Sequence, residues 1–161
     1  THANPSWWYP ARRNKSHELI EALTDAGGMI GFSLYPHHLK KGSGCLLADF
    51  AEMVAVAAER YGVHALGIGS DLCQDQPDSV VEWMRNGRWS IERDFGEGSA
   101  DQPGFPPQPN WFEGIKDFPN IAVGLAEVGF SADEIADIMG LNWLRFYEQN
   151  FSALAQGKTT S

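Results

Sequence analysis

The run Ala65-Leu66-Gly67-Ile68-Gly69-Ser70, which breaks off at Asp71, constrains the fold more than any other stretch of this chain. It is apolar, short and interrupted by glycine, so it reads as a buried strand whose end delivers a carboxylate. Met29 to Tyr35 is a second short apolar run, stopped by Pro36. Between them, Leu47, Phe50, Val54, Ala57 and Ala58 recur at helical spacing over Leu46 to Tyr61, and Gly62 follows as a stop. Strand, helix and strand joined at this length make a βαβ unit. Two apolar strands suit a parallel sheet covered by helices, so the fold class is α/β.

Elsewhere the chain alternates between helical patterns and breaks. Glu18 to Ala26 places Leu19, Ile20 and Leu23 on one helical face and ends at Gly27-Gly28. Residues 74–117 hold most of the prolines together with Trp83, Trp89 and Trp111. This region reads as an insertion-like loop pinned by aromatics, with a short helix over Val80 to Asn86. Ile121 to Val128 is helical up to Gly129, and Ser131-Ala132-Asp133-Glu134 is a capping box opening a helix to Met139. After Gly140, Asn142 to Leu154 carries Trp143, Leu144, Phe146, Tyr147 and Phe151 as an apolar docking face. Thr159 to Ser161 is expected to fray. No internal repeat is visible.

Charge narrows the function. The formal net charge is -9 with 12 basic residues, whereas nucleic-acid binding rests on clustered Lys and Arg, so no nucleic-acid partner is expected. No stretch approaches the roughly 20 apolar residues that span a bilayer, and nothing reads as a leader peptide, so no membrane partner is expected either. Cys45 and Cys73 lack metal-site spacing and read as two reduced thiols of a cytoplasmic protein.

Four blocks carry the chemistry: Thr1-His2-Ala3-Asn4, Arg12-Arg13-Asn14, Gly67-Ile68-Gly69-Ser70-Asp71 and Gly140-Leu141-Asn142-Trp143-Leu144-Arg145-Phe146. In this order and at these intervals they resemble the C-terminal half of the membrane (renal) dipeptidase family of zinc metallopeptidases, relatives of the amidohydrolases. The resemblance covers nearly the whole chain apart from 74–117. It implies the C-terminal part of a (β/α)8 barrel, with residues 1–161 forming a single partial domain.

The resemblance also implies roles. His2 matches the histidine that ligates the second of two zinc ions, a task for neutral imidazole. Arg13 matches the arginine that holds the dipeptide carboxylate; its planar guanidinium grips a carboxylate through two parallel hydrogen bonds and keeps its charge. Asp71 matches the aspartate at the end of the last barrel strand, which takes a proton from the hydroxide bridging the zincs and passes it to the leaving amine. Where the family continues with Phe-Asp-Gly, this chain has Leu72-Cys73-Gln74. His37 and His38 lie just past a strand end, but adjacent histidine side chains diverge and rarely share a metal.

The family's other zinc ligands come from the half that precedes this region. The expectation is therefore a zinc-dependent dipeptidase-like hydrolase, active only with that missing half or a companion chain, and a homodimer by the family's habit. The alternatives are a related amidohydrolase acting on another small amide, a lactone or a β-lactam, and a non-catalytic truncated interaction module.

Overall fold

A computed structural model describes residues 1–86, 99, 101–102 and 104–156 of the chain. In chain order its elements are His17–Asp25 (α1), Ile30–Phe32 (β1), Leu47–Tyr61 (α2), Leu66–Ile68 (β2), Asp78–Asn86 (α3), Phe118–Glu127 (α4), Ala132–Ala136 (α5) and Asn142–Gln156 (α6). Trp89 and the expected frayed end at Thr159 to Ser161 lie outside the described residues. β1 and β2 pair in parallel, with Ile30 opposite Leu66, Gly31 opposite Gly67 and Phe32 opposite Ile68. The βαβ unit read from the sequence is present, and with its helices the chain is α/β.

The regular strands are shorter than the apolar runs that announced them. Pairing continues irregularly, through Gly69 N–H to Phe32 O at 2.9 Å and Leu34 N–H to Ser70 O at 3.0 Å. It stops at Pro36, which opens a single 3-10 turn, Pro36–His38.

The two faces of the sheet differ. Ile30, Phe32, Leu34 and Leu66 join the core with Ile20, Phe50, Met53, Val54, Ile121, Leu125 and Ile138, all buried. Each large side chain removed from water there contributes about 1.5–3 kcal/mol. α2 lies across this face and packs on α4, where Gly124 lets the Leu47 side chain approach. α2 ends at Gly62, whose φ of 79° is the left-handed conformation that glycine adopts without a Cβ clash. Trp7 Nε1–H donates to Tyr61 Oη at 3.0 Å, and Tyr61 Oη meets His17 Nδ1 at 2.8 Å, tying the N-terminal loop, α2 and α1 together.

The opposite face is paved with glycine. Trp143, on α6, lies against Gly31 and Gly67, and its Nε1–H donates to Ile68 O at 3.1 Å. Asn142 anchors the same helix by donating to Val63 O and Leu66 O, each at 2.8 Å.

Several sequence expectations are refined. The capping box at Ser131 and Glu134 is formed, but the α-helix ends at Ala136. The chain then kinks within Asp137–Leu141, where Gly140 adopts a non-helical φ/ψ; Arg145 reaches back across the kink to Asp137 at 2.7 Å. The fourth helix begins at Phe118 rather than Ile121, with Pro119 in its first turn, where its missing N–H costs nothing. The apolar face expected on α6 is engaged through Trp143, whereas Leu144, Tyr147 and Phe151 are exposed. On α1, Ile20 is buried and Leu19 and Leu23 are exposed.

A Cβ added at Gly67 would overlap the Trp143 indole. Gly67→Ala is expected to destabilise the fold by about 1–3 kcal/mol, the usual cost of overpacking. Urea denaturation followed by tryptophan fluorescence measures this directly, and an unchanged midpoint would refute the packing of Trp143 on the glycine face.

Candidate functional site

Alternate residues of a strand send their backbone groups to opposite sides, so β1 needs partners on both edges. β2 serves one. On the other lie residues 1–4: Ala3 N–H donates to Gly31 O at 3.1 Å. The Asn4 side chain then takes over, accepting from Ser33 N–H at 3.0 Å and donating to Ser33 O at 3.0 Å. A side-chain amide here does the work of a peptide unit in a ladder.

Because Gly31 and Gly69 have no side chains, the Thr1 backbone lies directly over them; a Cβ on either would collide with the Thr1 carbonyl. This close approach brings Thr1 and His2 into a cleft of about 450 Å³ lined by Ile68, Gly69, Asp71, Trp143 and Tyr147. His2 and Asp71, far apart in sequence, therefore share one cavity. Asp71 sits at φ 54°, a left-handed conformation that aspartate tolerates better than most residues. Among the described residues no hydrogen bond or ion pair engages its carboxylate. Trp143 and Tyr147, ring centroids 6.0 Å apart and nearly parallel, make an aromatic wall.

Arg13 is exposed and lies outside that lining. The His38 ring is buried, and its pKa is pushed down to about 4, first by burial and then by the charges of Arg13, His2, His37 and Lys15. Arg13 and His2 thus lie within electrostatic reach of one imidazole. His37 is less buried and packs against Tyr35. Among the described residues no group of three or more His, Cys, Asp or Glu side chains is placed to hold a metal. His2 and Asp71 bring one imidazole and one carboxylate to a common cleft, fewer than the three protein donors that a zinc ion takes.

The sequence blocks contain residues whose roles were not legible from them. Asn4, Asn14, Ser33 and His38 form a buried polar hub. Asn4 N–H donates to Asn14 Oδ1 at 2.9 Å, and the Asn14 amide donates to Tyr9 O at 2.8 Å and His38 O at 3.0 Å. Asn4 Nδ2 also donates to His38 O at 3.1 Å. Ser33 Oγ accepts from Tyr35 N–H at 3.2 Å and lies 2.7 Å from His38 Nδ1, within hydrogen-bond distance. Both asparagines stand inside the motif blocks, and that was the available signal.

No family model and no curated protein matches the sequence. Solved structures do. An amidohydrolase from Pseudomonas aeruginosa is 28% identical with a TM-score of 0.80 over 91% of this chain. The dipeptidase AC, a metallopeptidase of family M19, is 15% identical with a TM-score of 0.67 over 94%. A metallopeptidase from Rhodobacter sphaeroides, solved with a phosphinate mimic of the dipeptide L-Ala-D-Ala, is 14% identical with a TM-score of 0.69 over 94%. The fold is that of amidohydrolase and M19 dipeptidase structures. The family resemblance carried by the motif blocks is borne out in three dimensions, and the chain spans 43%, 37% and 35% of the three proteins' lengths. No helix among the described residues is long and apolar enough to cross a membrane.

His38 titrates near 4 when folded and near its ordinary 6.5 when unfolded. Between these values the unfolded chain binds the extra proton, so the stability tied to a neutral His38 is complete above about pH 6.5 and is lost as pH falls toward 4. The loss is expected to be on the order of 2–3 kcal/mol. Comparing urea midpoints at pH 7 and pH 4.5 for the wild type and His38→Gln isolates it: the variant should show the weaker pH dependence.

Proposed function

We propose that this chain forms the C-terminal part of a (β/α)8 barrel hydrolase of the metallo-dipeptidase type, acting on the amide bond of a dipeptide. The observation that carries this reading is the meeting of His2 and Asp71 in one cleft. An imidazole for metal, a free carboxylate for protons and a permanent cation for a carboxylate are the three capacities that dipeptide hydrolysis requires.

In this reading His2 contributes one ligand to a zinc centre. Zinc, when bound, supplies Lewis acidity and makes water a nucleophile at neutral pH. Asp71 accepts a proton from the attacking water and returns it to the departing amine, a transfer for which its unpartnered carboxylate is free. Arg13 holds the substrate carboxylate by paired charge-assisted hydrogen bonds. Zinc takes roughly three or four protein donors, so the remaining ligands come from polypeptide beyond these residues or from a companion chain. Residues 1–161 are then one partial domain, with 74–117 as its insertion-like region.

One observation favours a second substrate class. Leu72-Cys73-Gln74 replaces the family's Phe-Asp-Gly, and Gln74 Oε1 accepts from Ile115 N–H at 3.2 Å, so the two ends of the insertion-like region meet just after Asp71. The changed residues next to Asp71 suit a different small amide, such as an N-acyl amino acid, or a lactone or β-lactam. A substrate panel run alongside dipeptides separates the two readings.

In the complete polypeptide supplied with zinc, Asp71→Asn is expected to lower kcat by roughly 10²–10⁴-fold with little change in KM. Loss of a charge-assisted pair in Arg13→Ala should raise KM for a dipeptide about tenfold or more. Steady-state kinetics on both variants decides: full activity in Asp71→Asn, or activity that survives zinc chelation, would end the metallohydrolase reading.

A further inference from the structure

His2 and Arg13 are eleven positions apart, yet each stands close to one member of a pair of mutually bonded asparagines. Asn4, two residues after His2, donates its N–H to Asn14 Oδ1 at 2.9 Å, and Asn14 directly follows Arg13. The backbone reinforces the link. Lys15 N–H donates to Asn4 O at 2.9 Å and Ser6 N–H to Lys15 O at 2.8 Å, while Asn14 N–H closes the turn onto Ala11 O at 3.0 Å. Arg13 itself is exposed and, among the described residues, has no ion pair. Its side chain is therefore located by the backbone that bears it, and that backbone is fixed from Asn14.

Asn14 is suited to the task. Both of its amide hydrogens are used, on Tyr9 O and His38 O, and its carbonyl takes the Asn4 N–H, so the side chain holds the start of the loop, the 3-10 turn beyond β1 and the residue-4 segment at once. It is 8% exposed, so water does not replace a lost partner readily. Asn4 adds a second hold on the same carbonyl, His38 O, at 3.1 Å.

We propose that Asn14 is a positioning residue for substrate recognition: through its bonds to Asn4 and His38 it sets where Arg13 stands relative to His2, and so confers preference for substrates that end in a free carboxylate. The inference rests on the reading of Arg13 as the carboxylate holder. It adds that the preference depends on an uncharged, buried amide that touches no substrate.

The test uses the complete polypeptide with zinc and two substrates, a dipeptide and the same dipeptide with its C-terminus amidated. Asn14→Ala is expected to reduce the KM preference for the free carboxylate by roughly tenfold, about 1.4 kcal/mol, while kcat for the dipeptide stays within about twofold. In an Arg13→Ala background the same substitution should change that preference no further, the signature of a residue acting through another. If Asn14→Ala lowers kcat for both substrates alike, or adds its full effect on top of Arg13→Ala, the positioning role is overturned. If Arg13→Ala alone leaves the preference intact, the carboxylate-holder reading falls and the inference falls with it. Should Asn14→Ala not fold, as judged by circular dichroism, the uncharged Asn14→Ser replaces it; it too removes the bonds to Tyr9 O and His38 O without placing a charge beside Arg13, so the same outcomes decide.

Discussion

β1 is buried on both faces, so its backbone N–H and C=O groups have no water to fall back on and must all be paired. That requirement organises the molecule. On one edge it recruits β2 in parallel register and so fixes the height of Asp71. On the other it recruits Ala3 by its backbone and Asn4 by its side chain, and thereby fixes the segment that bears His2. An unpaired buried backbone group costs about 1–3 kcal/mol, more than an isolated surface contact returns, so these placements are enforced. The candidate site is a by-product of satisfying one strand.

The glycine face is the steric counterpart of that pairing. Side chains at Gly31, Gly67 and Gly69 would fill the space taken by the Thr1 carbonyl and the Trp143 indole. Removing them lets a backbone segment and a helix lie against bare sheet, and this is what narrows the distance between the start of the chain and the end of β2. Packing against helices on one face and close backbone approach on the other thus divide the strand's residues by parity, large at Ile30, Phe32 and Leu34, absent at Gly31.

Much of this was legible in the sequence because it is written in periods and punctuation. Helical spacing located α2, Gly62 its end, and two apolar runs the parallel pair. Strand length was over-read, since Ser33 is apolar in neither pattern nor partner: its backbone bonds to a side chain, which no periodicity announces. The apolar stripe of α6 promised more burial than Leu144, Tyr147 and Phe151 have, because hydrophobicity marks a face without naming what covers it. His2 and Asp71 were found through motif order, and the structure brings them to one cleft. Arg13 is exposed and lies outside the cleft lining. The polar hub escaped notice because Asn, Ser and His in short segments read as turn formers, and only three-dimensional pairing distinguishes a turn asparagine from a buried one.

The hub's chemistry explains why it is made of amides, a hydroxyl and a neutral imidazole rather than of charges. Arg13 and His2 both act on His38, and together with burial they keep its ring uncharged. A carboxylate at this position would pair with Arg13 and compete with any anionic substrate for it; a cation would repel Arg13 and disfavour a second positive group nearby. A fully bonded neutral network avoids both. It holds the backbone beside Arg13 in one place while, among the described residues, the exposed guanidinium has no ion pair, so under the proposed function its charge stays available to a substrate carboxylate.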